Sequence, residues 1–238
     1  MEYKTTGKKV LAIIPSGGMG RRMGLKKKNY LPLNGVPALA RALGAFEASG
    51  LITAVMVVVP AGDEEYCRAE IVERHSFEKV VGVTAGGPER QDSVYNGIRA
   101  AGGGWDYIVV HDGARPLVTT EAIEDTLRAA RRSGCAISAV RVKDTVKEVS
   151  EGLVKRTIPR DNLWSAQTPQ AFRAEILSKA FEAAARDGFR ATDESSLVER
   201  LGFEVTVVEG SYENIKITTG EDIAVAGCML DRREKGGR

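Results

Sequence analysis

Residues Val10 to Ile14 are an unbroken apolar run, and a loop holding Gly17, Gly18, Gly20 and Gly24 follows directly. Such a run predicts a strand buried on both faces, because a half-exposed strand alternates. A strand of that kind needs helices above and below it, so the chain is steered towards an α/β fold from its tenth residue. The loop then carries Arg21, Arg22, Lys26, Lys27 and Lys28 with no acid among them. Glycines let backbone N–H groups approach an anion closely, and cations just beyond can neutralise it. The pattern points to a polyphosphate; the plainer alternative is a solvated basic loop. Two familiar phosphate loops are excluded. The P-loop G-x-x-x-x-G-K-[ST] fails because Arg21 and Arg22 follow Gly20. The dinucleotide fingerprint G-x-G-x-x-G begins at Gly18 and Gly20 but meets Met23 in its third place. Its second strand, Ala54 to Val59, ends in Pro60 rather than an acid.

A chain of 238 residues, 43% apolar and 28% charged, suits a soluble globular protein of one large or two small domains. The net charge of +2 supplies no global basic field for nucleic acid. Cys67, Cys135 and Cys228 lie far apart, with only His75 and His111 as histidines, which weighs against a zinc site. Cys135 and Cys228 are expected in the core. The N-terminal M-E-Y-K-T-T-G-K-K has no hydrophobic region and no apolar run approaches ~18 residues, so the expected location is the cytoplasm.

Further strands are predicted at Ala54 to Val59, Lys79 to Thr84, Asp106 to Val110, Ala136 to Val142, Val205 to Val208 and Asn214 to Ile217. Helices are predicted from Pro37 to Ala48, Glu64 to Glu73, Glu89 to Ala101, Glu121 to Arg132, Ala174 to Arg186, Ser195 to Arg200 and Glu221 to Asp231, before a frayed tail. Strand and helix alternate over the first five strands, which predicts a mainly parallel twisted sheet, helices on both faces and ligands at the strands' carboxyl ends. Thr145 to Thr157 departs from this rhythm. It alternates around Glu151-Gly152, a hairpin signal with few apolar residues on either face. An isolated ribbon is marginal in water, so it should project as an arm and find cover on another subunit. One domain over 1–238 with an arm at about 144–160 is the simplest account.

Asp112 closes an apolar strand, where a carboxylate suits magnesium, a ribose or a substrate hydroxyl; its plainer role is to cap the turn before Pro116. His111 beside it reads as a structural hydrogen-bonder. Arg115 follows Asp112 in the same loop, and Arg160, Thr168, Thr192 and Lys216 fall at or just past element ends. Cations from four regions of the chain suggest a site for two phosphate groups.

The ordered motifs P-S-G-G-M-G-R-R-M, K-K-N-Y, G-G-P-E-R-Q-D-S-V, H-D-G-A-R-P, D-T-V-K, I-P-R-D-N-L-W-S-A-Q-T-P-Q-A-F, A-T-D-E-S-S-L-V-E-R-L-G and N-I-K-I-T resemble the 2-C-methyl-D-erythritol 4-phosphate cytidylyltransferase family, over about Val10 to Ala226. The resemblance implies a Rossmann-like nucleotidyltransferase fold, a homodimer with exchanged arms, and transfer of CMP from CTP in the non-mevalonate route to isoprenoid precursors. It implies that Arg22 and Lys28 stabilise charge on the α-phosphate, and that Arg160 and Lys216 position the sugar phosphate. Arg115, Thr145, Thr168 and Thr192 match its other sugar-phosphate contacts. Ser16, Gly17, Gly18, Gly87 and Ser93 match the CTP site, and Asp112 the acid near metal (Mg²⁺) and substrates. The chain departs from the family at Ser16-Gly17-Gly18 for A-A-G, at Lys27-Lys28-Asn29 for P-K-Q, at Pro88 for an acid and at Gly113 for alanine. Lys28 is taken as catalytic because it keeps its place before Asn29-Tyr30. Ribitol 5-phosphate cytidylyltransferase is the alternative reading, and a non-catalytic nucleotide- or RNA-binding protein is the rival of another class.

Overall fold

Buried apolar runs alternating with amphipathic stretches build the first two-thirds of the molecule. The computed structural model describes residues 7–17 and 30–236. Strand β1 (Val10–Pro15) leads to a short ribbon of β2 (Pro32–Leu33) and β3 (Val36–Pro37), then α1 (Ala38–Ala48) and β4 (Ala54–Val59). Helix α2 (Glu64–Cys67) runs on as a π-helical stretch over Arg68–Glu73 into β5 (Val80–Ala85), α3 (Arg90–Ala100) and β6 (Tyr107–Val110). Helix α4 (Thr120–Ser133) and β7 (Cys135–Arg141) precede a hairpin of β8 (Val146–Ser150) and β9 (Leu153–Ile158). The chain closes with β10 (Trp164–Arg173), α5 (Ala174–Asp187), α6 (Glu194–Arg200), β11 (Thr206–Glu209) and α7 (Gly220–Gly236).

Seven strands share one sheet in the order β11-β7-β10-β6-β1-β4-β5. All neighbours are parallel except β10, which runs antiparallel to both β6 and β7. From β1 the chain steps outward to β4 and β5, then returns to β6 on the other side of β1. That reversal opens a crevice at the carboxyl ends of β1 and β6. Val10, Ala12 and Ile14 face a core shared with α1 and α4, while Leu11 and Ile13 face one shared with α3, α5 and α6. A smaller cluster of Leu33, Leu117, Ile217, Ala226 and Leu230 docks α7 over the segments that flank the crevice.

Several expectations need correction. Trp164–Arg173 is a ten-residue central strand that the sequence reading left unassigned. Pro169 and a run of polar residues argue against a strand, but the ladder to β7 shifts register between Ala166 and Gln170 and so absorbs the proline. Asn214 to Ile217 is not a strand; it is tied down by the Ile217 N–H donated to the Ala114 carbonyl oxygen and by the Asn214 side-chain amide donated to the Thr168 carbonyl oxygen, each at 2.8 Å. Cys228 is exposed on α7 rather than in the core. The tail continues α7 to Gly236, where Arg233 bonds Glu213 at 2.9 Å and the Leu117 carbonyl oxygen at 2.9 Å. The hairpin forms as expected, a two-stranded sheet apart from the main one, turned by Glu151 and Gly152 at φ 52° and 79°.

Candidate active site

Hydrogen bonds pin the loops at the carboxyl ends of β1 and β5. The Ser16 N–H donates to the Val58 carbonyl oxygen at 2.7 Å, and Gly86 N–H to that of Val59 at 2.7 Å. The Ser93 hydroxyl accepts the Gly87 N–H at 3.1 Å and donates to the Glu89 carbonyl oxygen at 3.0 Å, folding the Gly86-Gly87 turn against α3. A Cβ on Gly87 would fall 2.4 Å from the Asp92 Cβ, so only glycine fits this turn. A Cβ on Gly17 would stand 3.6 Å from the Ser93 hydroxyl, and one on Gly113 only 2.0 Å from that of Ser16. Ser16, Gly17, Gly87 and Ser93 therefore converge, with Asp112 at their edge. Gly18, Arg22, Lys26, Lys27 and Lys28 lie outside the described residues.

Asp112 sits among cations. Its Oδ1 accepts from Arg90 Nε at 2.9 Å, and its Oδ2 pairs with Lys216 Nζ at 2.6 Å, with Arg115 Nε at 4.0 Å. Burial would raise its carboxyl, but Arg90 and Lys216 outweigh burial and hold it well below the usual carboxylate range. Arg90 turns the other side of its fork to Glu194, with Nη1 and Nη2 at 2.8 and 2.9 Å from the two carboxylate oxygens. Glu194 is 1% exposed, and burial pushes its carboxyl up against the opposing charge of Arg90. A planar guanidinium meeting a carboxylate through two parallel bonds is the geometry of an ionised pair.

Behind this cluster, His111 and Thr168 hold the Asp112 backbone. His111 is fully buried, and its Nε2 lies 3.1 Å from the Arg115 carbonyl oxygen, which can only accept. The proton is thereby assigned to Nε2, so Nδ1 accepts from the Thr168 hydroxyl at 3.0 Å. Thr168 Oγ1 in turn accepts the Asp112 N–H at 3.0 Å. Burial lowers the His111 pKa to about 4, so the ring is a neutral brace and no base, as the sequence suggested. Thr168 is 4% exposed with its proton committed inward. It supports Asp112 from behind. Its neighbours on β10 work similarly: Gln167 donates to the Ser211 carbonyl oxygen, while Gln170 bonds Asp193 and accepts the Ser195 N–H.

Arg115 is brought beside Asp112, its Nη1 donating to the Asn214 carbonyl oxygen at 2.6 Å. Thr192 is exposed in the loop before α6, two residues from Glu194. Thr145 and Arg160 stand exposed at the base of the arm, where Arg160 bonds the Lys143 carbonyl oxygen. Among the described residues no hydrogen bond or ion pair joins either to the Asp112 cluster, nor do three His, Cys, Asp or Glu side chains gather as a metal site.

Sequence reasoning assigned Arg90 and Glu194 no role, yet a signal was present. Arg90, Ser93, Val94 and Gly97 lie on one helical face, as do Glu194, Leu197 and Val198, and those faces are buried. Each charge opens the apolar stripe of its own helix. A charge in that register has to find a partner.

A mainly parallel sheet whose switch point carries a glycine-lined turn, a paired acid and a cluster of cations is that of an α/β nucleotidyltransferase. The profile of the 2-C-methyl-D-erythritol 4-phosphate cytidylyltransferase family matches residues 10–232. Two relatives bearing that name are each 47% identical over 228 residues. The one from Geobacter metallireducens matches over 94% of this chain and 98% of its own, and that from Pelotomaculum thermopropionicum over 95% and 96%. The crystal structure of 4-diphosphocytidyl-2C-methyl-D-erythritol synthase from Anaerococcus prevotii superposes with a TM-score of 0.84 at 31% identity, covering 95% of this chain and all of that one. The chain belongs to the 2-C-methyl-D-erythritol 4-phosphate cytidylyltransferase family.

Proposed function

We propose that this chain transfers CMP from CTP to 2-C-methyl-D-erythritol 4-phosphate, releasing pyrophosphate, as a magnesium-dependent cytoplasmic homodimer on the route to isoprenoid precursors. The observation that carries the reading is Asp112 at the switch point, ringed by Arg90, Arg115 and Lys216 and facing the loops of Ser16, Gly17, Gly87 and Ser93. One flank is a glycine-lined turn that lets a nucleotide approach the backbone closely, and the other offers cations to a second phosphate.

The sugar phosphate is already anionic, so its oxygen attacks the α-phosphorus of CTP in line. A phosphorus–oxygen bond forms, the bond to the β-phosphate breaks, and the electron pair leaves on pyrophosphate. No proton has to move, which suits a site whose histidine is locked neutral. Catalysis is then placement plus charge neutralisation. Arg22 and Lys28 would meet the charge growing at the α-phosphate. Lys216 and Arg115 would hold the sugar phosphate, with Thr192 at its edge. Asp112 fits a metal ion carried largely by the triphosphate, since it is a hard oxygen donor and its Oδ2 is released when Lys216 turns to phosphate. Magnesium there would supply further neutralisation of the phosphates.

Dimerisation is supported by the arm, which leaves Val149, Leu153 and Val154 between 55% and 67% exposed. Thr145 and Arg160 of the partner subunit would then complete each sugar-phosphate site. The test is pyrophosphate release from each nucleoside triphosphate, with 2-C-methyl-D-erythritol 4-phosphate or ribitol 5-phosphate, with and without magnesium. Release is expected from CTP with the methylerythritol phosphate and magnesium. Faster turnover of ribitol 5-phosphate would replace the acceptor, and release without any acceptor would point to a hydrolase.

A further inference from the structure

Asp112 is held asymmetrically. Among the described residues the Lys216 ammonium pairs with Oδ2 alone; it is 38% exposed and rises from an irregular segment. The Arg90 guanidinium on Oδ1 is rooted at the start of α3, and its other two nitrogens are gripped by Glu194. One partner is free to leave and the other is not. A substrate phosphate carries more negative charge than a carboxylate and draws Lys216 away. Asp112, 7% exposed, would then have, among the described residues, only Arg115 at 4.0 Å if Arg90 were absent. Without Arg90, Lys216 could leave only by exposing a buried carboxylate with no close partner until another cation reached Oδ2, a costly state that would hold the lysine in place. Glu194 matters because an arginine bonded to Asp112 alone could swing towards the triphosphate; two parallel bonds fix its plane.

We propose that Arg90 and Glu194 form a bracket that keeps the Asp112 carboxylate paired and aimed while Lys216 leaves it for the substrate phosphate. They are positioning residues for the transfer, and the inference rests on the cytidylyltransfer reading.

The discriminating variant is the double replacement Arg90→Met/Glu194→Leu. Replacing both members by apolar side chains of similar volume leaves no unpaired charge at Glu194, while Asp112 keeps Lys216 as its partner in the free protein. The bracket predicts a protein that still folds, with a KM for CTP within about threefold and a kcat lowered about 10- to 100-fold, the range seen when an outer partner of a ligating group is lost. Arg90→Lys retains the charge without the fork and should show the same split. Parental kcat in either folded variant overturns the proposal, as does a KM for CTP that rises as steeply as kcat falls. Loss of folding in both would show that the pair serves only the fold, and overturns it too. Turnover by the parent chain in the same assay separates these outcomes from failure of the cytidylyltransfer reading itself.

Discussion

His111 shows what a single residue in the site is for. Its lone position at a strand end already read as structural, and the two bonds to Arg115 and Thr168 supply the reason. Asp112, Arg115 and Lys216 were also legible, because each is a charge placed where a plain loop or strand has no use for one. Arg90 and Glu194 were not, because a charge in the first turn of a helix ordinarily looks solvated. The neutral state of His111 has a measurable consequence. Its pKa falls from 6.5 to about 4 on folding, so the unfolded chain binds the proton more readily. Stability is intact above pH 6.5 and declines as the pH drops through the window from 6.5 to about 4, by about 3 kcal/mol in all. Thermal midpoints measured between about pH 7 and about pH 5 should therefore fall more steeply for the parent than for a folded His111→Gln variant. Equal slopes would mean that folding does not lower the His111 pKa.

Among elements, β1, β4, β6 and β7 were readable because burial on both faces leaves a plain apolar run. Strand β10 was not, since its buried positions hold Gln167, Thr168 and Gln170, each bonded to a loop of the site rather than packed as core. A strand that organises polar loops loses the pattern by which strands are recognised. The arm was legible for the opposite reason: its two-residue turn at Glu151-Gly152 is a strong hairpin signal and needs no core. Its apolar exposure is the basis of a prediction. Leu153→Ser/Val154→Ser should leave the main sheet folded and shift sedimentation from dimer towards monomer, with activity falling alongside. Unchanged assembly would move the dimer contact elsewhere.

At the scale of the molecule, the two sites of a dimer would share parts. An inactive Arg160→Ala chain mixed with an inactive Arg22→Ala chain gives mixed dimers in which one site carries both lesions and the other neither. About a quarter of parental activity should return if subunits exchange freely and act independently, as a closed two-fold dimer allows. Mixed dimers that stay inactive would return Arg160 to its own chain. The central claim is the joining of two phosphates at the switch point between β1 and β6, and phosphorus NMR reads it directly. With CTP, magnesium and 2-C-methyl-D-erythritol 4-phosphate, the monoester signal should be replaced by two coupled resonances of a new diphosphate, matched by an equal amount of pyrophosphate. CTP cut to CMP with the monoester untouched, or no change at all, would contradict it.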